Sequence, residues 1–458
     1  MNFLAILKDS FYETIDFKLF YILVVMSAVL SVFIASFTFP RYPVDKALAN
    51  NVGTEFTIAA AEEIDEDWFS PRGRYHIVLV PQESNDFHKK LVAAVNRQVR
   101  ERELRLLTLR FQMGQEELTE GGADLMARIN ERLPARLEAR MDQLLPDRSK
   151  PADAAGWATL AKGYLNSIPG VTALAVNVSD GSAAVPPSRV EADIQINWAE
   201  LRNAHEVGFL FGAWRTELGD QPLGEAVVIW MQNPLVGWIA GWVGVIIGLI
   251  VTAGFVPNML RKGTVDFLLV KPISRPALLV YKYCGGLTFV FLNAGVLVFG
   301  TWVAFGITTG NWSPWYLTSI FVVTFYFAIL YSFSVLMGVL TRSPMAAVLL
   351  TLVVWFLLFA VNQAFLIIHL PMFEKNIQEN APAVLLVIDV VHFVLPKPSA
   401  LGILNQSLLL RANGSEDFLL LQDEAMARFS WTETVTTSLA FIVVMLGLAS
   451  WRFSRRDY

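Results

Sequence analysis

YCGGLTFVFLNAGVLVFGTWVAFGITTGNWSPWYLTSIFVVTFYFAILYSFSVLMGVLT, residues 283–341, runs for 59 residues without Asp, Glu, Lys or Arg. A charge at the bilayer centre costs about 2.5–3.5 kcal/mol on insertion scales, so an uncharged apolar run marks a membrane span. One span takes about 20 apolar residues, which makes this run two spans. The turn-rich segment from Gly306 to Trp315 divides them. Further uncharged runs lie at 19–39, 226–260, 343–373 and 434–451. The sequence predicts an α-helical polytopic membrane protein with six transmembrane helices, at 19–39, 235–256, 284–305, 317–340, 346–369 and 434–451.

The composition of the 458 residues agrees. It is 54% hydrophobic and only 17% charged, where a soluble domain is about 25% charged. The net charge of −5 gives no basic field for nucleic acid. Cys284 is the single cysteine, which excludes disulfides within the chain and Cys-based metal clusters. The first apolar run is longer than a signal-peptide core. Asp9, Glu13 and Asp16 precede it and no small-x-small site follows, so it reads as an uncleaved anchor. Lys and Arg set the orientation. With the N-terminus inside, the cytoplasmic segments hold Lys8, Lys18, Arg261, Lys262, Lys271, Arg275, Lys282, Arg342, Arg452, Arg455 and Arg456, while the 306–316 loop holds none. Both termini, including a basic tail at 452–458, are expected in the cytoplasm.

Residues 41–222 then form an extracytoplasmic domain, inserted between the first and second spans. A helix is expected from Asn85 or Asp86 to about Gln112, with Leu91, Val95 and Val99 on one face. A second is expected over 116–144, broken or kinked near Pro134. Strands are expected at 74–80, 171–177 and 189–196, the last two as a hairpin with a long loop. The domain reads as mixed α/β. The acidic run from Glu62 to Asp67 lacks the Gly and terminal Glu of an EF-hand and reads as a solvated loop. Met113, Met126 and Met141 are scattered, and His76, His88 and His205 lack ligand spacing. No Gly-x-Ser-x-Gly or His-Glu-x-x-His occurs. The arginines of the first helix, interleaved with Glu101 and Glu103, read as a solubilising face, with an anionic partner or lipid head groups as the alternative.

The segment from Phe255 to Lys282 carries the functional signal. Pro257 is expected to end the second span. Met259 to Val270 reads as a short amphipathic helix, with Leu260, Thr264, Phe267 and Leu268 on one stripe and Lys262 and Asp266 on another face. Lys271-Pro272 stops it, and Ser274-Arg-Pro276 starts the next span. Such a helix suits a docking element for a soluble partner or an interfacial connector. This loop resembles that between the second and third spans of ABC transporter type-2 permeases. The match lies in Pro257, Gly263-Thr-Val-Asp266, Leu268-Leu269, Lys271-Pro-Ile-Ser-Arg275 and Lys282. The nearest subgroup is the one named for multicopper-enzyme maturation, relatives of the nitrous-oxide-reductase maturation permease. The tail from Trp451 to Tyr458 and the amphipathic N-terminus, 1–18, resemble that subgroup as well. The resemblance spans the termini and the six helices but not 41–222, which in most relatives is a short loop.

The resemblance implies a permease subunit in the cytoplasmic (inner) membrane of a bacterium, paired as a homodimer with ABC ATP-binding subunits. ATP and Mg would be bound by those partners. This chain has no Gly-x-x-x-x-Gly-Lys-Ser/Thr loop to cradle phosphates, and no cofactor or metal of its own is expected. Residues 257–283 would be the coupling loop, with Met259, Lys262, Gly263, Asp266, Lys271, Pro272 and Arg275 meeting the ATPase. An extracytoplasmic partner through 41–222 is a further expectation.

Within the spans, Gly237, Gly241, Gly244 and Gly248 are spaced by four, three and four, a small-residue stripe for helix packing or a dimer interface. Asn293, Asn362 and Gln363 are polar groups that face other helices or a pathway. In the 370–433 segment, Ala383 to Leu395 is apolar but too short to cross, and reads as a re-entrant or interfacial helix closed by Pro396 and Pro398. Asp389, in that segment, is a pathway candidate. With His392 it forms either a proton relay or a hydrogen-bonded pair. The first functional reading is an ATP-driven export permease. A mechanical transducer, a membrane-anchored scaffold or sensor, and a membrane enzyme are the others. The chain lacks an output domain for a sensor and an acid–base or metal constellation for an enzyme.

Overall fold

The structure, a computed structural model, describes residues 18–66, 71–82, 86–112, 121–182, 185–259, 274–369, 377–378, 381–412 and 431–455. The first element among the described residues is α1 (Lys18–Ala35). Immediately after it, residues 36–42 run antiparallel to 204–211. Thr38 N donates to Gly208 O at 3.0 Å, Gly208 N to Thr38 O at 2.8 Å, Glu206 N to Pro40 O at 3.0 Å and Tyr42 N to Ala204 O at 2.9 Å. The chain thus leaves α1 and returns toward the second span along one ladder.

Between these two segments lies an α/β region. Its elements are α2 (Val44–Val52), β1 (Phe56–Glu66), β2 (Arg72–Pro81), α3 (Phe87–Gln112), α4 (Gly121–Leu144), α5 (Ala154–Ser167), β3 (Val171–Ser179) and β4 (Arg189–Asn197). The four strands form an antiparallel sheet in the order β1-β2-β4-β3. Strand side chains alternate between faces, and the register puts one apolar set together: Tyr75 opposite Ile194, Ile77 opposite Ala192, Leu79 opposite Val190 and Val171 opposite Ile196. Leu91, Val95 and Val99 of α3 and Trp157, Leu160 and Tyr164 of α5 close over that face, and all are buried. The three expected strands and the long-loop hairpin β3–β4 are present, as are the two long helices.

Three local features differ from the expectations. Glu62 to Glu66 is the end of β1 rather than a loop. β1 is an edge strand with most of its side chains exposed, and charge on an edge is compatible with pairing on one side while it discourages pairing on the other. Pro134 does not end α4. Pro134 and Asn130, whose carbonyl it orphans, are both exposed, so water can take the lost bond. Helix α5 was not expected. Its signal is Asp153, whose Oδ1 accepts from Gly156 N at 2.8 Å as an N-cap.

A hairpin of β5 (Glu206–Phe209) and β6 (Trp214–Glu217) leads to the helical bundle: α6 (Leu223–Met259), α7 (Arg275–Thr309), α8 (Thr318–Thr341, after a 3₁₀ turn from Pro314), α9 (Pro344–Ile368), α10 (Pro382–Val394), α11 (Pro398–Ala412) and α12 (Trp431–Ser454). Among the described residues, α6, α7, the Pro314–Thr341 helix, α9 and α12 are long and apolar enough to cross a membrane. The apolar stretch of α1, Phe20–Ala35, is shorter, so five helices rather than the expected six meet the length requirement. α1 lies along α7, with Phe20 and Phe289 rings 6.1 Å apart. α8 is the hub and touches α6, α7, α9, α11 and α12. Tyr331 of α8 stacks on Tyr283 of α7 at 5.3 Å, and Tyr283 Oη donates to Ala328 O at 2.9 Å.

The second membrane helix starts earlier than 235 and continues past Pro257. A turn at Ala253-Gly254 comes first, and Pro257 falls in the opening turn of Phe255–Met259, where its missing N–H has no intrahelical acceptor to lose. α6 is also π-helical over Val228–Gln232 and Pro234–Gly244. Pro398 does not close the 383–395 helix but opens α11, again as a first-turn proline.

His205 lies in the ladder at the base of the α/β region. It is 1% exposed, and neither ring nitrogen has a hydrogen-bond partner. Burial, reinforced by the Arg41 guanidinium, pushes its pKa down to about 3. The folded state therefore holds it neutral, while the unfolded chain takes up a proton near pH 6.5. Its contribution is complete above that pH and is lost as pH falls toward 3, at up to about 1.4 kcal/mol per pH unit. Thermal melts from pH 7.5 to 4.5 should show a steeper loss for the wild type than for His205→Phe, and equal slopes would refute the assignment.

Candidate functional site

Two places in the fold bear on function. The first is the junction of α6 and α7. Met259, at the end of α6, is buried with Val256, Leu278 and Leu279. Arg275, the first residue of α7, is half-buried. Between them, Lys262, Gly263, Asp266, Lys271 and Pro272 lie outside the described residues, as do the amphipathic N-terminus to residue 17 and the last three residues of the tail.

The second is a cavity of about 420 Å³ between α6, α8, α9 and α11. It lies toward the end of the bundle that carries the α/β region. There Gly224 N donates to Ala199 O at 2.9 Å, and Arg105 of α3 pairs with Glu225 of α6 at 2.6 Å. Five amides reach the cavity: Asn233, Asn362, Gln363, Asn405 and Gln406. Trp238, Trp242, Tyr326 and Phe359 supply its aromatic wall. Trp238 and Trp242 stack at 5.8 Å, and Phe359 meets Trp242 edge-on at 5.3 Å. Tyr326 Oη accepts from Trp355 Nε1 at 2.7 Å, and Ser319 Oγ donates to Asn405 Oδ1 at 3.0 Å. Asn362 is 2% exposed, and neither its Oδ1 nor its Nδ2 has a partner. Among the described residues, none of the side chains lining the cavity carries a charge.

Asn362 and Gln363 are thus brought together with three amides that the sequence reading did not single out. An uncharged polar residue inside an apolar run was the available signal, and for Asn405 and Gln406 the short helix after Pro398 hid it. Asn293 is elsewhere, in an apolar groove between α1, α6 and α7. Its Nδ2 donates to Phe289 O at 2.9 Å, and its Oδ1 is buried without a partner. Asp389 is not at the cavity and does not pair with His392. Its Oδ1 meets His369 Nε2 at 3.2 Å, while the His392 ring lies parallel to Phe365 at 3.7 Å. Nearby, buried Lys397 pairs with Glu433 and ties the start of α11 to the start of α12.

The profile described as ABC-2 family transporter protein matches residues 4–458. The chain belongs to the ABC-2 transporter family. The match includes the α/β region, which the loop and tail motifs do not reach. Neither a curated protein nor a solved structure matches the chain. Permeases of this family are multi-pass transport subunits, generally not catalytic themselves, and they normally work with an ABC ATP-binding subunit.

In this ABC-2 protein the four glycines of α6 do not share one environment. The π-helical turn winds more than 3.6 residues, so a spacing of four, three and four no longer makes a single stripe. Gly237 and Gly241 border the amide cavity, and Gly244 borders the apolar groove beside α1. Gly248 is buried, and a Cβ there would come within 3.1 Å of both Phe327 and Val290. At Gly237 the nearest atom to such a Cβ is Asn233 Oδ1 at 3.4 Å, an ordinary contact. Gly248→Leu is expected to cost about 1–3 kcal/mol by overpacking, and Gly237→Ala close to nothing. Thermal unfolding of the detergent-purified full chain, read by tryptophan fluorescence, checks both.

Proposed function

We propose that this chain is the membrane subunit of an ATP-driven exporter in the cytoplasmic membrane of a bacterium. Family membership together with the absence of any phosphate-binding loop from the 458 residues carries this reading. A separate ATP-binding subunit, with ATP and Mg, supplies the energy. Two copies of the chain pair, each with six spans, α1 completing the six, and with both termini inside. Residues 257–283 form the coupling loop, and Lys262, Asp266 and Arg275 make its polar contacts with the ATPase. Residues 41–222 lie outside and offer a surface to an extracytoplasmic partner.

A second reading has a specific observation in its favour. The α/β region is tied to α1 by the 36–42 ladder and to α6 by the Arg105–Glu225 pair. Movement of α6, when the ATPases close, would be transmitted to the α/β region through those contacts. The subunit would then export a molecule, move its outer domain, or do both.

Purification from native membranes should recover a soluble ATPase in fixed ratio. Joint substitution of Lys262, Asp266 and Arg275 by Ala should remove it while leaving the permease folded. Recovery of the chain with extracytoplasmic proteins alone would favour a scaffold or sensor and overturn the exporter reading. ATP hydrolysis stimulated in vesicles without movement of any molecule would leave the transducer.

A further inference from the structure

Asn362 presents an unmet demand. An amide has two donor hydrogens and two acceptor lone pairs. Leaving such a group buried without partners costs about 1–3 kcal/mol. Among the described residues Asn362 has none, and it borders the 420 Å³ cavity. That volume is in the range of about 300–1,000 Å³ typical of small-molecule sites, where an apolar lining and a few placed polar groups set the specificity.

The lining restricts what fits. A charged group in a cavity without a counter-charge would bear an uncompensated desolvation penalty. The amides Asn233, Gln363, Asn405 and Gln406 stand around the same space as Asn362. The stacked indoles of Trp238 and Trp242 border the same space. A sugar ring has this double character, with a C–H face for the indoles and hydroxyls for the amides. Trp238 is 65% exposed on the flank of the bundle, so the cavity is bordered by a side chain that faces the bilayer core or its interface. Indoles favour that level.

We infer that this cavity binds the uncharged, hydroxyl-rich head of an amphiphile, a glycosylated lipid, with Asn362 as its central hydrogen-bonding residue and Trp238–Trp242 as its stacking ledge. Occupancy of the cavity stands independently of the exporter reading. Only the role of the ligand as cargo rests on it.

The test uses the full chain without any ATPase. The protein is reconstituted in phosphatidylcholine vesicles holding equal small fractions of monoglucosyl diacylglycerol and phosphatidylglycerol. It is then extracted, and the retained lipids are quantified by mass spectrometry. The glucosyl lipid is expected at about ten times its bilayer share and phosphatidylglycerol at its share. Asn362→Leu, nearly the same size, should abolish most of the enrichment, about a tenfold loss, the worth of roughly 1.4 kcal/mol of hydrogen bonding. Without glycolipid it should melt no lower than the wild type, because an unpartnered amide has been removed. Trp238→Ala, at an exposed position, should weaken retention severalfold without touching the fold. Maltose in the aqueous phase separates a lipid from a free sugar. Retention undiminished by maltose supports the lipid, whereas maltose that quenches indole fluorescence and displaces the lipid assigns the site to the sugar alone and overturns the lipid. Equal enrichment of phosphatidylglycerol, or glucosyl lipid at its bilayer share in the wild type, would overturn the inference and indicate a hydrated cavity. Either result leaves the exporter reading intact, since that reading fails only on loss of the ATPase partner.

Discussion

The antiparallel ladder between residues 36–42 and 204–211 is the constraint on which the rest of the architecture depends. It holds the two ends of a long insertion about one strand spacing apart, roughly 4.8 Å. A region whose ends are adjacent can be placed between two helices without prying them apart. α1 can therefore lie along α7, and α6 can pack on α8, as if the connection between α1 and α6 were short. The ladder also closes over His205 and Trp198. Arg41 lies over the Trp198 ring at 5.2 Å and pairs with Glu66, so the first strand of the sheet is held to the same seam.

Inside the bundle a different rule governs. With no water in the hydrocarbon region, backbone polar groups must be satisfied within the helices. The departures from α geometry over Val228–Gly244 of α6 are accordingly π turns, which keep the helix hydrogen-bonded, while the turn at Ala253-Gly254 comes near the helix end. The π turns re-aim Gly237, Trp238, Gly241 and Trp242 toward the space beside α9 and α11. The cavity lies beside that irregular stretch, between α6, α8, α9 and the short helix α11. A regular α6 would place these side chains at other azimuths.

The polar residues fall into two groups by environment. Two charged pairs lie near the ends of α9 to α12, Asp389 with His369 and Lys397 with Glu433. These charges at the bundle margin find partners, while the neutral amides deeper in line an open space. Among the amides, Asn405 accepts from Ser319 Oγ and joins α11 to α8, whereas Asn362, one turn before Phe365, has no partner among the described residues. Under the exporter reading, the cavity and the ladder lie toward one end of α6 and the coupling loop at the other.

The sequence by itself determined that the chain is a helical membrane protein with several long apolar helices and an α/β region, and it pointed to the family. Missing charges over about 20 residues reflect a solvation cost that acts residue by residue and needs no tertiary partner. The motif from Gly263 to Arg275 and the missing phosphate loop are equally local. Strands β2, β3 and β4 were legible because alternation at period two reports burial of one face. Only the tertiary structure decided the rest. β1 looks like an acidic loop until its neighbour β2 pairs with one side of it. The continuation of α6 past Pro257 depends on the Ala253-Gly254 turn before it. The pairing of Asp389 with His369 rather than His392 joins two helices. Asn233, Asn362 and Asn405, separated by 129 and 43 residues along the chain, border one space only because three separate helices pack around α8. Long-range packing leaves no periodic trace in a sequence, and the cavity those amides line is made by it alone.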